Sequence, residues 1–171
     1  KPSFSGSWIL PLPSDSKPSD KRENRFLKTM IFNDDVVGGR SYHILPTEYS
    51  ILPKDISTVR TIMERLRKDP PPQSIIDDEI ALRIYLERVS SGMANEIGEG
   101  DLGDISILLG RITAQYTCGY GALEHLLRDE RVQDIYIDSP PSRNPVYVSL
   151  GGPMPQDLAG TYQTNILLTG S

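Results

Sequence analysis

A chain of 171 residues with 37% hydrophobic and 24% charged side chains is long enough to bury one core or two small ones. Its balance excludes a disordered or membrane-spanning polymer. The formal charge of -5 argues against a nucleic-acid binder, because neutralising phosphates needs an excess of Lys and Arg.

Residues 1–25 are rich in Pro, Ser and charge without a sustained period, and read as an extended arm. Only "SWILPL" around Trp8 offers an anchor, for its own domain or for a partner. "FLKTMIF" (Phe26 to Phe32) and "GRSYHIL" (Gly39 to Leu45) are apolar runs separated by Asn33-Asp34-Asp35 and Gly38-Gly39. That turn chemistry predicts a hairpin, which needs a surface to lie against.

"KDISTVRTIMERLRKD" spaces Ile56, Val59, Ile62, Met63 and Leu66 as one helical face, and Pro70 to Pro72 stop it. Ser74 and Asp77 resemble a capping box for a second helix over 75–90, with Ile76, Ile80, Ile84 and Val89 on its apolar face. Gly92, Gly98, Gly100 and Gly103 interrupt the next stretch. "DISILLGRITAQY" then repeats the pattern through Ile105, Leu108, Leu109, Ile112 and Tyr116. Three amphipathic helices predict a small bundle, grouped with the hairpin as 26–118.

From Gly119 the period changes. "GYGALEHLLRDERVQDIYIDSPP" joins a glycine turn, a short leucine-bearing helix and a strand; "PVYVSL" and "YQTNILLT" follow as further strands. Residues 119–171 therefore read as the first part of a small α/β subdomain, its sheet unfinished. The fold class predicted is α+β: an N-terminal β-hairpin with a three-helix bundle, then the start of this sheet.

Catalytic chemistry is sparse. No Gly-Lys-Ser/Thr phosphate loop and no Gly-x-Ser-x-Gly elbow occur. Gly98, Gly100 and Gly103 follow a helix rather than a strand and read as an interhelical loop. The carboxylate pairs Asp34-Asp35, Asp77-Asp78 and Glu99 with Asp101 read as turn, helix start and loop. Cys118 is the single cysteine, so no internal disulfide forms and a reducing compartment fits. His43 and His125 lie far apart in the chain and provide no metal-ligand spacing. No catalytic, cofactor-binding or metal residue is assigned. Arg128, Arg131 and Arg143 flank the first strand of the sheet, where they meet solvent, an anionic ligand or a neighbouring subunit.

The stretch "GYGALEHLLRDERVQDIYIDSPPSRNPVYVSL" resembles the segment preceding the ATPase core in type II/IV secretion-system ATPases. The matching residues are Gly119, Gly121, Leu123, Leu126, Leu127, Asp129, Asp134, Ile135, Val146, Tyr147 and Val148. "YHILPTEYSILP" and "YQTNILLT" are similar to the archaeal branch, which powers pilus, archaeal-flagellum and secretion machines. The likeness is specific over about Gly119 to Thr169, weaker over the helices and slight over the first forty residues.

The resemblance implies a PAS-like subdomain cut before a RecA-like core, in a parent that is a cytoplasmic homo-hexamer working against a membrane-embedded platform protein at the inner face of the membrane. Because the Walker motifs of such a parent lie in its core, ATP and Mg are implied for the parent and none for this stretch, which is expected not to hydrolyse ATP alone. The start at Lys1 and the stop after "NILLTGS" fit the inside of a longer chain. A stand-alone acidic adaptor docking proteins through its surface and its Trp8 arm is the competing expectation.

Overall fold

The structure is a computed structural model and describes residues 1–12, 17–33 and 39–169; the expected turn residues Asp34, Asp35 and Gly38 lie outside them. The fold is α+β. The chain divides into two compact units: Pro2–Phe4 with Ser50–Gly121, which holds the long helices, and Lys1, Ser5–Tyr49 and Ala122–Ser171, built on a sheet.

In the helical unit, α1 (Pro53–Lys68) starts with proline, whose missing N–H costs nothing in a first turn, and ends on Arg65, Arg67 and Lys68, which suit the negative end of the helix. It buries Val59, Ile62 and Leu66. After Pro70 to Pro72 come the single turn α2 (Gln73–Ile76) and the long α3 (Glu79–Ile97).

The cap of α3 is Asp78, not Ser74: its Oδ1 accepts from the Ile80 and Ala81 amides, both at 3.1 Å. This late start changes which face is buried. Leu86, Ser90 and Ala94 point inward, whereas Ile76, Ile80 and Ile84, expected on the apolar face, are 40%, 74% and 53% exposed.

A loop through Gly103, at φ 58°, reverses the chain into α4 (Asp104–Thr117). Helices α3 and α4 run antiparallel and close through small residues. Ser91 meets Ser106 at 3.2 Å, and a Cβ on Gly110 would lie 2.6 Å from the Glu87 carbonyl. Val59, Ile62, Leu86, Leu109 and Ile112 form the core of this unit.

Among the described residues of the sheet unit, six strands lie in the order β2 (Asp20–Glu23), β3 (Leu27–Phe32), β4 (Ser41–Pro46), β7 (Gly160–Thr164), β6 (Tyr147–Leu150), β5 (Val132–Tyr136). A separate pair joins β1 (Ser7–Ile9) to β8 (Ile166–Leu168). The expected hairpin is present as β3 and β4, registered from Leu27 opposite Pro46 to Phe32 opposite Ser41.

Its grouping differs from the sequence reading. Strand β4 pairs in parallel with β7, Ser41 opposite Gln163 and Tyr42 opposite Thr164, so hairpin and C-terminal strands form one sheet. A parallel pair requires a long connection, and the chain between β4 and β7 supplies it. Tyr42 and Ile44 accordingly share a core with Val148, Leu150 and Tyr162.

The N-terminal arm is likewise in part ordered: Ser7 to Ile9 pair with β8 and Asp20 to Glu23 with β3. The last apolar stretch is two strands rather than one, because Asn165 turns between them. Its buried amide accepts from the Ile44 N–H at 2.8 Å and donates to the Ile44 carbonyl at 2.9 Å, acting as a peptide group beside β4.

Candidate functional site

The joint residues sort by role. At Gly119 and Gly121 the chain leaves α4: the Gly119 amide reaches the Ala114 carbonyl at 3.2 Å and the Gly121 amide the Gln115 carbonyl at 3.1 Å. Gln115 returns a side-chain hydrogen bond to the Gly121 carbonyl at 2.8 Å. Gly121 has φ +59° and a Cβ there would press on the Tyr116 ring at 3.3 Å, so both backbone and space favour glycine.

The five-residue α5 (Leu123–Leu127) follows at once. Leu126 is fully buried and Leu123 packs beside it in the sheet-unit core, while Leu127 is 55% exposed. His125 Nε2 lies 2.7 Å from Glu48 Oε2, both side chains buried, tying α5 to the turn Thr47–Tyr49.

Asp129 is the centre of the site. Its Oδ2 accepts from the Tyr42 hydroxyl at 2.6 Å and from Arg131 Nη2 at 2.8 Å; its Oδ1 accepts from the Arg131 amide and Nε, each at 3.0 Å. Arg131 also donates through Nη1 to Asp20 Oδ2 at 2.7 Å and through Nη2 to Thr29 Oγ1 at 3.3 Å. Its guanidinium stands 5.9 Å from the Tyr42 ring centre. One buried arginine thereby joins the joint to β2, β3 and β4.

The electrostatics follow from that geometry. Burial opposes charge on Asp129 and Arg131, but their mutual hydrogen bonds outweigh it, so the carboxyl is held below its ordinary range and the guanidinium above its own. Burial, reinforced by the Asp129 charge, pushes the Tyr42 hydroxyl well above its usual value. These shifts favour Tyr-OH, Asp⁻ and Arg⁺ near neutral pH, and the arrangement ties distant segments of the sheet unit together.

The arginines separate accordingly. Arg131, read from sequence as a surface cation, is 2% exposed and spent inside the fold. Arg128 is exposed, 3.3 Å from Glu124, and Arg143 lies exposed in the turn after Pro140 and Pro141. On β5, Asp134 is exposed and Ile135 packs on the sheet core.

Sequence reasoning passed over Asp20, Tyr42 and Thr29 because their link to Arg131 spans the chain. The Asp129-x-Arg131 spacing beside a strand was the one local signal. No Gly-Lys-Ser/Thr occurs in the chain, and among the described residues no three His, Cys, Asp or Glu gather as metal ligands. No described helix is long and apolar enough to cross a membrane. No family model matches the chain, and no curated protein matches it.

Proposed function

We propose that this chain is the N-terminal, partner-docking and motion-coupling region of a hexameric ATPase that powers type II/IV secretion or pilus or archaeal-flagellum assembly. On this reading ATP and magnesium belong to the RecA-like core of the same parent. The platform protein is its membrane partner, and the complex stands at the cytoplasmic face of the membrane.

The observation that carries the reading is the joint. The residues that resemble the family's pre-core segment coincide with the passage from helices to sheet: two glycines at the exit of α4, Leu123 and Leu126 seating α5, and Asp129 held by Arg131 and Tyr42. A motion-coupling segment needs a turn at one end and a rigid seat at the other, and this stretch has both.

The test is the coding sequence after Ser171. A Gly-Lys-Ser/Thr loop roughly a hundred residues downstream, followed by a Walker B acid, supports the motor. A stop codon there favours the stand-alone adaptor.

A further inference from the structure

The two ends of the six-stranded sheet differ in kind. At one end lies β2, whose residues Asp20, Lys21, Arg22 and Glu23 are all charged, a composition that discourages pairing with a further strand. At the other lies β5, where Asp134 is the one charged residue among Val132, Gln133, Ile135 and Tyr136. Tyr136 and the following Ile137 are 48% and 46% exposed. We propose that β5 is an interaction edge that takes the β5 of a second copy of this chain, antiparallel, about a two-fold axis at Ile135.

The backbone defines what covers this edge. The Thr164 N–H donates to the Val146 carbonyl and the Gly151 N–H to the Arg131 carbonyl, each at 2.9 Å. Along this stretch, even-numbered residues thus turn their backbone groups toward β7 and odd-numbered ones toward β5. In an antiparallel ladder alternate pairs exchange hydrogen bonds. Tyr147 opposite Tyr136 and Ser149 opposite Asp134 are such pairs, whereas Ile135, opposite Val148, turns its N–H and C=O away from the sheet. Among the described residues no strand lies beyond β5. A donor and an acceptor facing outward from one residue are met by the same two groups of another extended strand.

The charge pattern selects the copy and its register. With Ile135 opposite its own copy, the two residues exchange both backbone hydrogen bonds, and Asp134 of each strand stands opposite Tyr136 of the other. A two-fold pair centred one residue earlier sets Asp134 against Asp134, and one centred a residue later sets Asp134 against Asp138. Like charges directly opposite one another are destabilising, so β5 accepts itself at Ile135 and disfavours the registers on either side.

This pairing depends on the β5 edge alone and is read as association of the 171-residue chain rather than nucleotide turnover, so it stands or falls apart from the motor reading. Sedimentation equilibrium from about 10 µM to about 1 mM gives the mass, and amide hydrogen exchange gives the location. A monomer–dimer equilibrium is expected, with the Ile135 amide gaining protection as concentration rises and the β2 amides unchanged.

Ile135→Pro removes the outward N–H without touching the ladder to β6, and is expected to leave a monomer with unchanged far-ultraviolet dichroism. Ile135 also packs on the sheet core, so Tyr136→Asp serves should the proline variant misfold. It leaves the backbone whole, sets an acid against Asp134 twice in the symmetric pair, and is expected to weaken the dimer about tenfold. Tyr136→Lys, which sets a cation there, is expected to hold or tighten it. A mass that stays monomeric throughout overturns the proposal, as does one that climbs past the dimer, the mark of head-to-tail pairing. So does a dimer that Tyr136→Asp leaves unmoved, one that Tyr136→Asp and Tyr136→Lys weaken alike, or one whose protection falls outside β5.

Discussion

Tyr42 donates its hydroxyl to Asp129 Oδ2 at 2.6 Å, between residues 87 positions apart, and so pins the joint to the second strand of the hairpin. Tyr42→Phe removes the donor and leaves a part-buried carboxylate one bond short, at an expected cost of about 1–3 kcal/mol. Arg131→Ala removes the buried cation from Asp129, leaving it the Tyr42 hydroxyl alone among the side-chain donors named above, and is expected to cost more, about 3–5 kcal/mol. Urea unfolding followed by dichroism ranks the two; equal midpoints for wild type and Arg131→Ala would refute the tie.

The same tie sets a pH dependence. Tyr42 is raised in the folded state, so its contribution is complete below the unfolded tyrosine value of about 10 and is lost as pH rises above it. Asp129 is depressed, so its contribution is present above about pH 4 and is lost as pH falls further. Thermal melts from pH 8 to 11 should show a steeper loss for wild type than for Tyr42→Phe. Parallel curves would show that Tyr42 does not contribute.

His43 gives a separate acid limb. It is buried edge-on to Phe32 at 5.3 Å between ring centres, its Nδ1 has no hydrogen-bond partner among the described residues, and burial lowers its pKa. Stability due to the neutral ring is complete above about pH 6.5 and declines as pH falls from there toward the depressed folded value. A His43→Phe variant should lose the part of the decline between pH 7 and 5 that wild type shows in a melting series.

Close helix packing predicts that Gly110→Ala destabilises the helical unit by about 1–3 kcal/mol, since the added methyl meets backbone rather than a movable side chain. Ser90 on α3 works the other way. Its hydroxyl is buried without a hydrogen-bond partner among the described residues, so Ser90→Ala should be neutral or stabilising by up to about 1 kcal/mol. Denaturant midpoints of the two variants are expected to move in opposite directions.

The elements with a strong local period were legible in the sequence. The hairpin strands are apolar runs bounded by turn residues, and α1 and α4 show apolar rows ended by Pro or Gly, although Ile105, expected on the α4 row, is 47% exposed. For α3 the period misled, because Ile76, Ile80 and Ile84 form as regular a row as Leu82 and Leu86 do. The cap at Asp78 and the packing against α4 decided between them.

Pairings between distant segments left no local trace. Neither β1 with β8 nor β4 with β7 is marked by the residues themselves, so the sheet looked unfinished and the arm free. Arg131 read as surface because arginine beside a strand usually is; only Asp129, Asp20 and Tyr42 together make its burial tolerable. Asn165 looked like one more polar position in a strand, and its role appears only when Ile44 lies beside it.

The central claim is most directly tested by ATP hydrolysis, measured as phosphate release on the 171-residue chain and on the natural chain extended through whatever follows Ser171. The account predicts no turnover by the shorter chain and magnesium-dependent turnover by the longer one. Hydrolysis by the shorter chain, or none by the longer, would contradict it.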